Sequence, residues 1–211
     1  MERIGLLAGA GKLPVECAKA AKLLGYEVYA VALLPETDAE LKECTADCQS
    51  ISIAHLDAVL NYLKEHQVSK VTMIGKVTKE LLFSGKVQPD ARMLKLIMEL
   101  PYRKDDTIMM MFVRELAKAG IQAFDQTALI RRLMPHRGVI TKREPTAEER
   151  KDMEFGFRMA KEIGRLDVGQ TAVVKNMAVM ALEAIEGTDA CIHRGGQLAR
   201  GGAVVAKVAK P

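Results

Sequence analysis

Lys175, Glu186-Gly187-Thr188-Asp189, His193-Arg194, Lys207 and Lys210 fall within one short region that is otherwise apolar residues and glycines. Carboxylates on either side of a Gly-Thr turn can hold Mg²⁺ or orient a water, while lysines and an arginine neutralise phosphate charge. Pyrophosphate hydrolysis needs that combination, because a dianionic phosphoryl centre repels a nucleophile until its charge is screened. By spacing alone a second reading stands beside it, with Asp189 as the N-cap of a short helix and the lysines as solvated strand ends.

A further candidate lies near the start of the chain, where Gly9-Ala10-Gly11-Lys12-Leu13-Pro14 follows a short apolar run. Glycines there let backbone amides approach an anion at a helix N-terminus. The dinucleotide fingerprint needs glycine where Pro14 stands, and the lysine spacing of a P-loop is missing. A tight strand-to-helix turn, with Pro14 opening the helix, is an equal reading. His136 and His193 occur without HxxH, HxH or HExxH spacing, so a histidine-rich binuclear metal site is not expected. Met109-Met110-Met111 suits an acyl groove or a helix core, and no site is assigned to it.

These residues need elements to position them. Arg3 to Ala8 reads as a strand, Val15 to Leu24 as a helix closed by Gly25, and Glu27 to Leu33 as a second strand. Leu56, Val59, Leu60 and Leu63 fall at i, i+3, i+4 and i+7, one apolar face of a helix over His55 to His66. Lys70 to Ile74 is a third strand, Ala91 to Leu100 and Thr107 to Lys118 are helices, and Ile121 to Phe124 is another strand. Asp105 and Asp106 are capping candidates for the second of those helices. Such alternation is what a parallel sheet with right-handed crossovers requires. Arg137 to Pro145 is basic and turn-rich, and a domain boundary is placed there. Thr146-Ala147-Glu148-Glu149 has capping-box spacing for a helix running to about Ile163. Thr171 to Lys175 and Ala178 to Ala184 are then candidate strands about a turn at Asn176, though the composition of the second also suits a helix.

At 211 residues the chain has room for two small domains, and 49% hydrophobic with 27% charged residues is ordinary for a folded protein. A net charge of +4 suits an anionic ligand, but 31 basic residues dispersed among 27 acidic ones form no nucleic-acid-binding block. Trp is absent and aromatics are 4%, so base-stacking surfaces are scarce. Cys17, Cys44, Cys48 and Cys191 lack CxxC spacing and read as reduced thiols. No signal-peptide pattern opens the chain and no apolar run reaches membrane-spanning length, so a cytoplasmic location is expected.

Asp167-Val168-Gly169-Gln170, the Val173-Val174-Lys175 strand, Ala184-Ile185-Glu186-Gly187-Thr188-Asp189 and Lys207-Val208-Ala209-Lys210-Pro211 together resemble the C-terminal domain of UDP-2,3-diacylglucosamine pyrophosphatases, of the kind unrelated to calcineurin-type phosphoesterases. The likeness extends through Ile4 to Gly9, Leu13-Pro14, Gly75-Lys76-Val77 and Asp105-Asp106, over essentially the whole chain. The resemblance implies hydrolysis of UDP-2,3-diacylglucosamine to UMP and 2,3-diacylglucosamine 1-phosphate, a step of lipid A synthesis. It implies a divalent metal, with magnesium expected, and substrate bound between two domains. Glu186, Thr188 and Asp189 match its EGTD motif, with Asp189 at the metal, and Lys207 and Lys210 match its KxxKP motif, facing phosphate oxygens. In that family KxxKP precedes a QDxRFDxP-like stretch whose first aspartate looks central to catalysis. This sequence ends at Pro211, so the 211-residue chain is expected to bind its ligand yet hydrolyse it at near-background rates.

The resulting expectation is a Rossmann-like N-terminal domain over 1–136 and a smaller α/β C-terminal domain over 137–211, with catalytic Glu186, Thr188 and Asp189 and with Gly9, Gly11, Lys175, Lys207 and Lys210 binding substrate. Peripheral attachment to the inner membrane and a homodimer are compatible with it. A non-catalytic nucleotide or nucleotide-sugar binder would keep the Gly9–Gly11 loop and the lysines but would need no metal-linked carboxylates. An NAD-dependent oxidoreductase is disfavoured, since Leu33-Leu34-Pro35 stands where an acidic residue should recognise ribose.

Overall fold

A computed structural model of the chain describes residues 1–77, 87–100 and 105–209, with backbone only at 105 and 106. Two units are distinguished, Met1–Pro135 and His136–Pro211.

In the first unit, strands β1 (Glu2–Ala8), β2 (Tyr26–Ala32), β3 (Asp47–Ser50), β4 (Lys70–Ile74) and β5 (Gln122–Ala123) form a parallel sheet of order β3-β2-β1-β4-β5. β1 is at its centre, pairing from Glu2↔Tyr26 to Ala8↔Ala32 on one side and from Ile4↔Lys70 to Ala8↔Ile74 on the other. Its continuous apolar run follows from that place, because a central parallel strand is covered on both faces. Side chains alternate, so Leu7 joins a core with Val31, Leu56, Leu63 and Leu116, while Leu6 joins another with Val15, Ala18 and Leu129. The helices are α1 (Leu13–Leu23), α2 (Leu41–Cys44), α3 (Leu56–Glu65), α4 (Ala91–Glu99), α5 (Asp105–Lys118) and α6 (Gln126–Ile130). The strand order reverses at β1 and β4, which is the Rossmann-like topology expected from the alternation. The Asp105 and Asp106 side chains, read as caps, lie outside the described residues.

The second unit is also strands with helices, but its sheet is antiparallel. α7 (Ala147–Arg165) leads to β6 (Thr171–Lys175), β7 (Ala178–Leu182), α8 (Thr188–Ala199) and β8 (Val204–Lys207), with sheet order β7-β6-β8. α7 opens with the capping box read from sequence: the Glu149 amide donates to Thr146 Oγ1 (3.2 Å) and the Thr146 amide to Glu149 Oε2 (2.7 Å). The Arg143 guanidinium and then the Thr146 amide hold the Glu149 carboxyl down at about 2. Ala178 to Leu182 is a strand rather than a helix, since pairing from Ala172↔Leu182 to Lys175↔Ala178 overrides the helical bias of Met and Ala. Alternation along β6 sends Ala172 and Val174 toward Ala160 of α7, and Val173 toward Cys191 of α8. α8 lies close on β6 at Gly195, where a Cβ would come 2.5 Å from Val173 Cβ.

The β6–β7 hairpin turns on Asn176 and Met177, both left-handed (φ 51° and 60°). Their amides donate to the buried carboxylate of Asp152 on α7, at 2.8 Å and 2.6 Å. A two-residue turn of this hand favours glycine at its second position. Met177→Gly is therefore expected to raise the stability of this unit by up to about 1 kcal/mol, read from the urea midpoint at unchanged slope. A lower midpoint would show that Met177 contributes packing that outweighs its backbone strain. Among the described residues no helix is long and apolar enough to cross a membrane.

Candidate active site

The register of the small sheet assembles the cluster. Lys207 lies opposite Thr171, so both side chains fall on the α8 face at one end of β6. The Glu183 amide donates to the Thr171 carbonyl at 2.9 Å just beyond β7, and α8 begins at Thr188. Lys207 Nζ donates to Thr188 Oγ1 at 2.7 Å, and Thr188 Oγ1 donates to Glu183 Oε1 at 3.0 Å. Glu183 Oε2 accepts from the Gln170 amide at 3.3 Å, and the Thr171 hydroxyl is 3.5 Å from that of Thr188. Thr171 is fully buried and Glu183 is 8% exposed, while Thr188 is half-buried and Lys207 exposed. Burial alone would raise the Glu183 carboxyl. Hydrogen bonds from Thr171, Thr188 and the Gln170 amide, with the Lys207 charge nearby, outweigh burial and hold it below its ordinary value.

Glu183 has no place in the sequence reading, because it adjoins the EGTD motif without being part of it. A signal was present in Gly169 of the Asp-Val-Gly-Gln motif. A Cβ there would lie 2.1 Å from the Glu183 carbonyl oxygen, so glycine is what lets this loop approach Glu183.

The expected residues divide by position. Thr188 and Lys207 are in direct contact, and Asp189 is exposed in the first turn of α8. Asp189 is not the N-cap. Gly187 occupies that place at φ 83° without a side-chain cap, because only a residue free to be left-handed fits there. Glu186 is engaged elsewhere: one oxygen accepts from Arg194 and the other from the Ala184 amide at 3.0 Å. Arg194, first of all, holds the Glu186 carboxyl below its usual range. Lys175 is not brought to the cluster. It lies at the far end of α8, donating to the carbonyls of Ala199 and Gly201 at 2.8 Å each. Twelve helical residues at 1.5 Å each put about 18 Å between those ends. Lys210 lies outside the described residues.

In the first unit the Gly9 amide is committed to the Ile74 carbonyl at 2.9 Å. A Cβ on Gly9 would meet the Lys76 carbonyl oxygen at 2.7 Å, so this glycine serves the close approach of two backbones. Gly11 is exposed and left-handed (φ 99°), and Lys12 beside it is bound by Asp38 and Glu40 at 2.9 Å each. Near the carboxyl ends of β1 and β4 an apolar cavity of about 180 Å³ is lined by Leu7, Leu33, Met73, Ile108, Met109 and Phe112. Of the methionine run, Met111 is core, whereas Met109 and Met110 are half exposed.

Magnesium favours oxygen donors and commonly takes one or two carboxylates together with water and substrate phosphates. Among the described residues no three His, Cys, Asp or Glu side chains gather closely enough to hold a cation. Glu183 and Glu186 have their oxygens engaged, whereas no hydrogen bond or ion pair joins the Asp189 carboxylate to another described residue. The donor set fits an ion shared between Asp189 and a substrate's phosphates. It does not fit one caged by these residues alone.

Both units match family models, residues 3–133 the LpxI N-terminal domain and residues 136–211 the LpxI C-terminal domain. The UDP-2,3-diacylglucosamine pyrophosphatase LpxI of Caulobacter vibrioides is 32% identical over 197 residues, covering 92% of this chain and 69% of that protein. Solved structures with local likeness include a UDP-glucose-4-epimerase from Stenotrophomonas maltophila, at TM-score 0.38 and 16% identity over 58% of this chain and 35% of that one. A glycinamide-RNase-transformylase T from Mycobacterium tuberculosis has TM-score 0.31 and 20% identity over 39% of this chain and 23% of that one. At such scores these structures carry no weight for function. With models for both domains and a curated relative in agreement over most of its length, the chain belongs to the LpxI family.

Proposed function

We propose that the protein carrying this sequence hydrolyses the pyrophosphate bond of UDP-2,3-diacylglucosamine, giving UMP and 2,3-diacylglucosamine 1-phosphate in lipid A synthesis. The observation that carries this reading is the 32% identity to the Caulobacter pyrophosphatase, which spans both units. The local geometry supports it. α8 starts at a glycine without a side-chain cap, so its first amides and the Lys207 ammonium offer positive partners to phosphate oxygens. Asp189, in the same turn, is the carboxylate proposed to hold magnesium, and Lys210 is proposed as a second phosphate contact. Magnesium, when bound, supplies neutralisation of phosphate charge. The chain's own residues fix where the diphosphate lies, Lys207 by a charge-assisted bond and the α8 amides by their direction. Water adds to one phosphorus, the bridging P–O bond breaks, and the water's proton leaves to solvent. The apolar cavity of the first unit suits hydrocarbon, in keeping with an acylated substrate.

The test is UMP release from UDP-2,3-diacylglucosamine by the full-length protein that carries this sequence, with magnesium and then with excess chelator. Release that stops on chelation and returns with magnesium is the expected result. Turnover unchanged by chelation would remove the metal, and binding of the substrate without any UMP release would leave a non-catalytic binder.

A further inference from the structure

We infer that Glu183 is a positioning residue, which aligns Lys207 toward phosphate through the hydroxyl of Thr188. A threonine hydroxyl has one proton and two lone pairs. Here the proton is directed to Glu183 Oε1 at 3.0 Å, so a lone pair faces outward and accepts from Lys207 Nζ at 2.7 Å. A lysine side chain has many rotamers, and its ammonium is precise only when something fixes it. The outward lone pair does this, and it stays outward only while Glu183 remains an acceptor. Glu183 is itself fixed by the Gln170 amide, by burial and by Gly169 packed against its backbone. The residue touches no substrate in this reading; it acts through Thr188.

The inference rests on the proposed hydrolysis for its kinetic test but not for its spectroscopic one. Glu183→Gln preserves shape, yet its amide group turns a donor toward either Thr188 or the Gln170 amide, both of which already donate. It is expected to lower kcat about tenfold or more, with KM altered less than about threefold, as misplacement of a phosphate-binding group does. Thr188→Val, which removes the hydroxyl at equal volume, is expected to match it, and Thr188→Ser to recover the rate within about threefold. The double variant should be no slower than the slower single one, because both changes break one relay. Effects that multiply, or a folded Glu183→Gln protein with native kcat, would overturn the inference.

Independently of turnover, a lysine ammonium held by a hydrogen bond exchanges slowly enough with water to be seen in ¹⁵N-lysine NMR. The Lys207 signal, assigned by its loss in Lys207→Arg, should be present in the native protein and lost in both Glu183→Gln and Thr188→Val. Its persistence in either folded variant would overturn the relay. If the full-length protein released no UMP, the functional proposal would fall, and the NMR result would still decide the role of Glu183. Should Glu183→Gln fail to fold, the half-buried Thr188→Val decides by the same two readouts.

Discussion

In the full-length protein that carries this sequence, Asp189→Ala is expected to reduce UMP release by at least about a hundredfold while the melting temperature stays close to that of the unsubstituted protein. The two readouts separate because of where the side chain sits. Gly187, not Asp189, caps α8, and the Asp189 carboxylate is exposed without a bond to another described residue. Its removal takes away a favourable charge in the first turn of a helix, a matter of about 0.3–1 kcal/mol. A carboxylate that shares magnesium with the diphosphate has a far larger effect on the barrier, since it fixes the charge that screens the phosphorus. Asp189→Asn should be nearly as slow, because the shape is preserved and the charge is not. Higher magnesium should restore part of its rate if the lost function is holding the ion. A variant with native turnover and a lowered melting temperature would instead assign Asp189 to helix stability alone.

Gly169→Ala should be the most damaging single methyl in the second unit. The added carbon would stand 2.1 Å from the carbonyl oxygen of Glu183 and 2.9 Å from its Cβ. The first of these is backbone and cannot swing aside, so the loop and the end of β7 must separate. Overpacking of this kind costs about 3 kcal/mol. The same displacement withdraws the acceptor that aligns Thr188, so UMP release should fall even at temperatures where the unit remains folded. Gly196→Ala is the matched control, because a Cβ there meets nothing within 4 Å. Within α8 it should be neutral or stabilising by up to about 1 kcal/mol, as alanine is the better helix former. Urea unfolding followed by a probe in the second unit would separate them, and equal midpoints would show that the loop yields to the methyl without cost.

The ways in which the sequence could and could not be read follow from how far apart the interacting residues lie. The strand-and-helix alternation of the first unit, the apolar face of α3 and the Thr146/Glu149 capping box depend on neighbours within a few positions, and all are visible in the chain. The family was legible too, because its motifs are contiguous. β3 was not. Asp47-Cys48-Gln49-Ser50 is a polar edge strand with no apolar alternation, and it exists because β2 offers it an unpaired edge from Tyr29 to Ala32. α8 was legible only in part, as the short helix of one alternative reading with its N-cap misplaced at Asp189, because Gly195 and Gly196 lie inside it and no side-chain cap marks its start. Gly195 is there because Val173 leaves no room for a Cβ.

Nor do the one-dimensional positions of the charged residues say which of them meet. Lys175 and Lys207 look alike in the sequence, yet antiparallel pairing puts Lys207 beside Thr171 and Thr188, and Lys175 at the opposite end of the strand, bound to the last carbonyls of α8. Glu186 carries the motif, but Arg194 one helical face away engages it; Glu183 carries no motif, but the β6–β7 register buries it under Thr188. The chain by itself determined most of its elements, its family and the chemistry of its side chains, since those follow from local pattern. Which carboxylate is joined to Lys207 through Thr188 was decided only by strand pairing, because register alone sets which distant side chains share a face.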